Sequence, residues 1–143
     1  MATLAADKIR RFENQWAPLY NDIPAIASDI IYQGAAVGES SSTGTARPLV
    51  AGDTFLGFAD MKADNSSGSA AAIDCHVRQS GAVEIPVTSV AADADLGVLV
   101  YASDDDTFTL ASTGNTKIGK LIRHVSGTTA IVRFESKLLD LEV

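Results

Sequence analysis

The stretch AIDCHVRQSGAVEIPV, residues 72–87, decides the fold class. Its first half alternates. Ile73, Cys75 and Val77 share one side, and Asp74, His76 and Arg78 share the other. A period of two is the mark of a strand with one face buried. Gln79, Ser80 and Gly81 then break the pattern, and residues 82–87 resume it, so the segment reads as two strands of a hairpin. Pro86 has no N–H to give to a ladder, which places the second strand at a sheet edge. Cys75, on the apolar side, is expected to be a buried free thiol.

The same punctuation extends in both directions. Upstream, residues 30–37 and 54–60 are apolar β segments, separated by a Gly/Ser/Thr loop over residues 38–45. Downstream, residues 98–102 and 107–110 flank an acidic turn at Asp104, Asp105 and Asp106. Residues 118–125 and 128–134 close the series around Ser126 and Gly127. About eight short strands at roughly ten-residue spacing predict an all-β, antiparallel barrel or sandwich. The predicted domain runs over residues 28–136, with a short tail at 137–143.

Residues 1–27 differ from this. Thr3 suits a helix N-cap, and Ile9, Phe12 and Trp16 recur at the spacing of one helix face. Pro18 ends that helix, and residues 19–27 read as an extended connector. A short helix carrying large apolar groups is marginal alone, so the arm must dock on its own domain or on a neighbour. Pro18 and Pro24 favour extended backbone, which points to a neighbour, either another copy or a different protein. The expected partner-binding residues are Lys8, Ile9, Arg10, Arg11, Phe12, Trp16, Leu19 and Tyr20.

Composition narrows the function. A net charge of −7 argues against direct binding of nucleic acid, which needs a cationic face. The charge is uneven. Residues 22–110 hold thirteen acids against Arg47, Lys62 and Arg78, whereas Lys117, Lys120, Arg123, Arg133 and Lys137 face only Glu135 in their segment. That contrast suits head-to-tail contact between copies, or simply separate solvated faces. No apolar run approaches the ~20 residues of a membrane span. The single cysteine allows no internal disulfide, and the N-terminus lacks an apolar leader, which suits synthesis in a cytoplasm.

Catalytic and metal chemistry finds little footing. His76 and His124 have no second ligand at metal spacing, and Cys75 and His76 face opposite sides of a strand. The Asp104–Asp106 run lacks the pattern of a calcium loop and reads as a solvated acidic turn. No enzyme activity, cofactor or metal is expected.

Several motifs in order resemble the capsid decoration (cement) proteins of tailed bacteriophages. They are Gly52, Asp53, Leu56 and Gly57; Ile85, Pro86 and Val87; Gly97, Val100 and Tyr101 with the acidic turn; Gly114, Asn115, Ile118 and Gly119; and Val132, Arg133 and Phe134. The resemblance spans residues 34–134 and leaves the first 27 uncovered. It implies a β-barrel-like fold, a homotrimer, and binding to the major capsid protein on the outer surface of a virion. The alternatives are another virion part (a head-fibre base or tail β-module) or a carbohydrate- or peptide-binding β-domain.

Overall fold

The computed structural model describes residues 4–13, 19–40, 44–90 and 95–141. Over these the chain is almost wholly β, and each strand pair is antiparallel. One sheet has six strands, in the order β1 (Arg11–Phe12), β9 (Ser80–Pro86), β13 (Thr129–Glu135), β12 (Thr116–Ser126), β10 (Leu99–Ala102) and β11 (Phe108–Thr109). The other has five, in the order β2 (Tyr20–Pro24), β8 (Asp74–Arg78), β6 (Thr54–Ala59), β4 (Ala36–Ser40) and β5 (Thr45–Pro48). A ribbon of β3 (Ile30–Ile31) and β7 (Ala63–Asp64) completes the set.

The five-stranded sheet is buried on both faces. Its Ala36, Phe55 and Phe58 meet Val83, Ile85, Val132 and Phe134 of the six-stranded sheet in the main core. Its Val37, Leu56, Cys75 and Val77 turn the other way into a second core, capped by Ile31 and Ala63 of the ribbon. A bulge makes this division work. Val37 pairs with Gly57 and Gly38 with Phe55, so β6 holds one extra residue there. Phe55 and Phe58, three apart, thereby face the same side. The sheet curls until Ala25, after β2, meets Ala46 of β5 in a single parallel bridge. It does not continue into a closed barrel.

All five phenylalanines of the chain, Phe12, Phe55, Phe58, Phe108 and Phe134, converge at the centre. Phe58 and Phe134 meet edge to face at 4.9 Å, and Phe12 joins Phe134 at 5.9 Å. Such pairs add about 0.5–1.5 kcal/mol beyond burial. A chain poor in aromatics gathers its phenylalanines in one place.

Four expectations are corrected. Residues 72–87 are not a hairpin: β8 belongs to the five-stranded sheet and β9 to the six-stranded one. The chain crosses between sheets at Gln79, whose N–H donates to the Leu19 carbonyl and whose carbonyl accepts from Ser136. Nor is β9 an edge strand; it lies between β1 and β13, and Pro86 sits at its end opposite Thr129. The expected N-terminal helix does not form over residues 4–13. Phe12 is drawn into the phenylalanine cluster and its backbone into the ladder of β9, where Glu13 N–H also donates to Ala82. Ile9 and Phe12 therefore share no face, because tertiary pairing outweighs the weak local preference of a short segment. Residues 20–24, expected as connector, form β2 against β8. Trp16, with Thr3 and Pro18, lies outside the described residues.

Candidate functional site

The basic residues near the N-terminus are consumed within the chain. Arg10 is the anchor, with a side chain only 2% exposed. Its Nε donates to the Gly34 carbonyl at 2.7 Å and its Nη2 to the Asp106 carboxylate at 2.9 Å. The guanidinium lies over the rings of Phe58 and Phe108. Lys8 reaches the same carboxylate at 3.0 Å. Burial opposes ionisation of Asp106, but the hydrogen bonds and charges of Arg10 and Lys8 outweigh it and hold its carboxyl below the ordinary range. Gly34 permits the crossing: a Cβ there would lie 2.0 Å from the Lys8 carbonyl oxygen. The segment 8–13 is thus a strap closed over the domain.

Arg11 completes the strap on the outer face, pairing with Glu84 of β9 and with Glu13. Glu13 also takes Arg123 of β12, and that hydrogen bond chiefly lowers its pKa. Arg78 ties the two N-terminal strands together, its guanidinium 4.1 Å from the Phe12 ring and 5.2 Å from that of Tyr20. Tyr20 stacks on His76 at 5.0 Å, and His76 Nδ1 lies 2.7 Å from the Asp22 carboxylate.

Of the residues expected to bind a partner, Lys8, Arg10, Arg11 and Phe12 therefore hold the fold. Ile9 and Leu19 remain in solvent, 80% and 53% exposed, and Tyr20 is partly so. Ile9 borders a cleft of about 160 Å³ with Asp60 and Arg78. Met61, exposed, follows Asp60, and Leu19 is hydrogen-bonded to Gln79 beside Arg78.

A second open surface lies on the six-stranded sheet, on the side away from the core. Leu99, Lys117, Gly119, Lys120 and Arg133 line a cleft of about 300 Å³, bounded by Lys137 and Asp140. Gly119 brings β12 against β13 so closely that a Cβ would lie 2.0 Å from the Arg133 carbonyl oxygen. Arg133 leans toward Glu135, and Lys137 pairs with Asp140 at 2.9 Å. Lys117 and Lys120 make no ion pair with any described residue.

The acidic turn differs from its expected solvated state. Asp105 is fully buried, its carbonyl accepts from Ala36 N–H, and Asp106 is the anchor of the strap. A lone acidic run in the sequence carried no mark of this. Gly34 was the one local sign that chain passes over chain. Cys75 is buried and free, and desolvation first, then the Asp22 charge, push its thiol up to about 12. Among the described residues no group of three or more His, Cys, Asp or Glu side chains is placed to hold a metal ion.

No protein-family model matches the chain, and no curated protein matches it as a relative.

Proposed function

We propose that this protein is a non-enzymatic capsid decoration protein, a homotrimer that binds the outer surface of a tailed-phage head and bridges major capsid subunits. The observation that carries the reading is Ile9, 80% exposed on the segment that the Arg10–Asp106 anchor fastens, with Leu19 and Met61 exposed on other segments. Large apolar groups left in solvent favour a protein partner. Because the backbone at Ile9 is already fastened, docking there loses little further conformational freedom. The order of turn motifs from Gly52 to Phe134 points the same way, to a virion partner. Binding to assembled shell and not to loose subunits would stabilise the shell by mass action, about 2.7 kcal/mol per site at a hundredfold excess over Kd.

The test is co-sedimentation with mature heads of the virus that encodes it. High-copy recovery on heads is expected, together with its loss in an Ile9→Asp, Met61→Asp variant that keeps the wild-type melting midpoint. Recovery in a few copies with tails would favour a tail module instead. Absence from both fractions would defeat the proposal.

A further inference from the structure

The outer strands of the five-stranded sheet, β2 and β5, approach each other in parallel, in a fold whose ladders are antiparallel. That is the relation left between two strands when a third, antiparallel to both, is missing from between them. One bridge joins them, from Ala25 to Ala46. Beside it lies a cleft of about 280 Å³, lined by Asp22, Ile23 and Pro24 of β2 and by Glu39, Leu56 and Leu138. The main chain of β2 is open on this side. The Leu19 carbonyl accepts from Gln79 N–H and Ala25 N–H donates to the Ile73 carbonyl, so the odd-numbered residues turn toward β8. Ile26 N–H donates to the Ala46 carbonyl, so the even-numbered ones turn the other way. Tyr20 and Asp22 thus each present an N–H and a carbonyl along an edge that no described strand pairs. Pro24 follows them, where its missing N–H removes no ladder bond.

We infer that this edge takes a short, extended, cationic segment of a partner protein as an added strand, antiparallel to β2. Main-chain bonds to Tyr20 and Asp22 would hold the segment, and the side chains beside them would choose it. The charged residues lining the cleft are Asp22 and Glu39, and no Lys or Arg lines it. Glu39 makes no ion pair with any described residue, and its carboxylate lies 4.0 Å from where a Cβ on Gly44 would stand. Asp22 gives one oxygen to His76 and keeps its charge. Lys137, next to Leu138, is held by Asp140. Complementarity therefore selects a basic occupant. A second copy of β2 is the wrong one. Asp22 is the middle residue of the strand, so antiparallel pairing centred there would set two carboxylates opposite each other. Ile23 and Leu56 add an apolar lining, which suits a segment that alternates apolar and basic side chains. The inference stands apart from the Ile9 surface and does not depend on the capsid.

The experiment uses the full chain, labelled with nitrogen-15, and the capped peptide Val-Lys-Val-Lys-Val as probe. Titration into the millimolar range is expected to shift the Tyr20 and Asp22 amides and to slow their hydrogen exchange. The same peptide N-methylated on the residues that face β2 should bind at least about tenfold more weakly, since its ladder bonds are gone while the protein is untouched. An Asp22→Lys, Glu39→Lys variant that keeps the wild-type spectrum elsewhere should reverse the preference, taking Val-Glu-Val-Glu-Val over the lysine peptide. The Ile9→Asp, Met61→Asp variant should bind the lysine peptide as the wild type does, which separates this edge from the proposed capsid surface. No shift at Tyr20 and Asp22 would overturn the inference, as would equal binding of the N-methylated peptide. Equal binding of the lysine and glutamate peptides to the wild type would overturn the cationic occupant. Shifts of the same amides with protein concentration alone would mean that a second copy takes the edge, and would overturn it too.

Discussion

The chain has two clusters of cationic residues, and the fold uses them in opposite ways. Lys8, Arg10 and Arg11 are all paired within the chain, and Arg10 is sealed over the phenylalanine cluster. Lys117 and Lys120 stand in an open cleft with no ion partner among the described residues. In sequence the N-terminal cluster is the more conspicuous, since it sits beside aromatic residues. In the structure it is the one already spent. Positive charge marks a binding surface only when the fold leaves it unneutralised and its side chains clear of the core.

The sharpest way to break the strapped region is from beneath. Phe58→Ala removes the ring that contacts Phe12, Phe55, Phe108 and Phe134 and underlies Arg10. A loss of about 3–5 kcal/mol is expected in urea unfolding.

Asp106→Ala attacks the strap from above. It leaves the Arg10 guanidinium buried without its carboxylate. Loss of a fully buried partner costs about 3–5 kcal/mol, and the partial exposure of Asp106 reduces the expectation to about 2 kcal/mol. The wild type should also show the linkage. Asp106 has a folded pKa below its unfolded one, so its contribution is present above about pH 4 and is lost as pH falls through the folded value. Asp106→Asn should flatten that part of a stability–pH profile. An unchanged profile would mean that the strap is not held by this charge.

Cys75 tests the second core independently of either cluster. Cys75→Ser places a hydroxyl among Ile23, Leu56 and Val77 and should cost about 1–3 kcal/mol. In the wild type, thiol labelling near neutral pH should proceed only as fast as the domain opens, since the buried thiol resists ionisation. Rapid labelling of the native protein would place Cys75 at the surface.

The smallest effect on stability belongs to the open cleft. Lys117→Glu and Lys120→Glu should each shift unfolding by no more than about 0.5 kcal/mol, as surface changes do. A large loss there would mean that the second cluster is structural too, and the contrast between the two would collapse.

Much of the strand content was legible from residues alone. Strands β6, β10 and β13 fall where alternation and turn residues put them, and Cys75 and Val77 are buried as their shared side requires. Ile73 on the same side is partly exposed, because β8 begins only at Asp74. Strands β1, β5 and β7 are two to four residues long, too short for any period to register. The candidate surfaces were less legible. Of the N-terminal residues, Ile9 and Leu19 stay open, while Arg10 and Phe12 were read as outward-facing and are structural. The uneven charge of residues 117–137 was visible, but not that two lysines would flank an open cleft.

By itself the sequence determined the class: short β segments, turns between them, an apolar side for each strand and one sheltered thiol. Those properties follow from neighbours along the chain, because side chains alternate and turns demand particular residues at fixed offsets. Only the tertiary structure decided that β8 and β9, consecutive in the chain, belong to different sheets, and that Asp106 would claim Arg10 from 96 residues away. Sheet membership and ion pairing depend on which distant backbone edges and charges the packed core brings within a few ångströms. A one-dimensional pattern of apolar and charged residues carries no term for that distance.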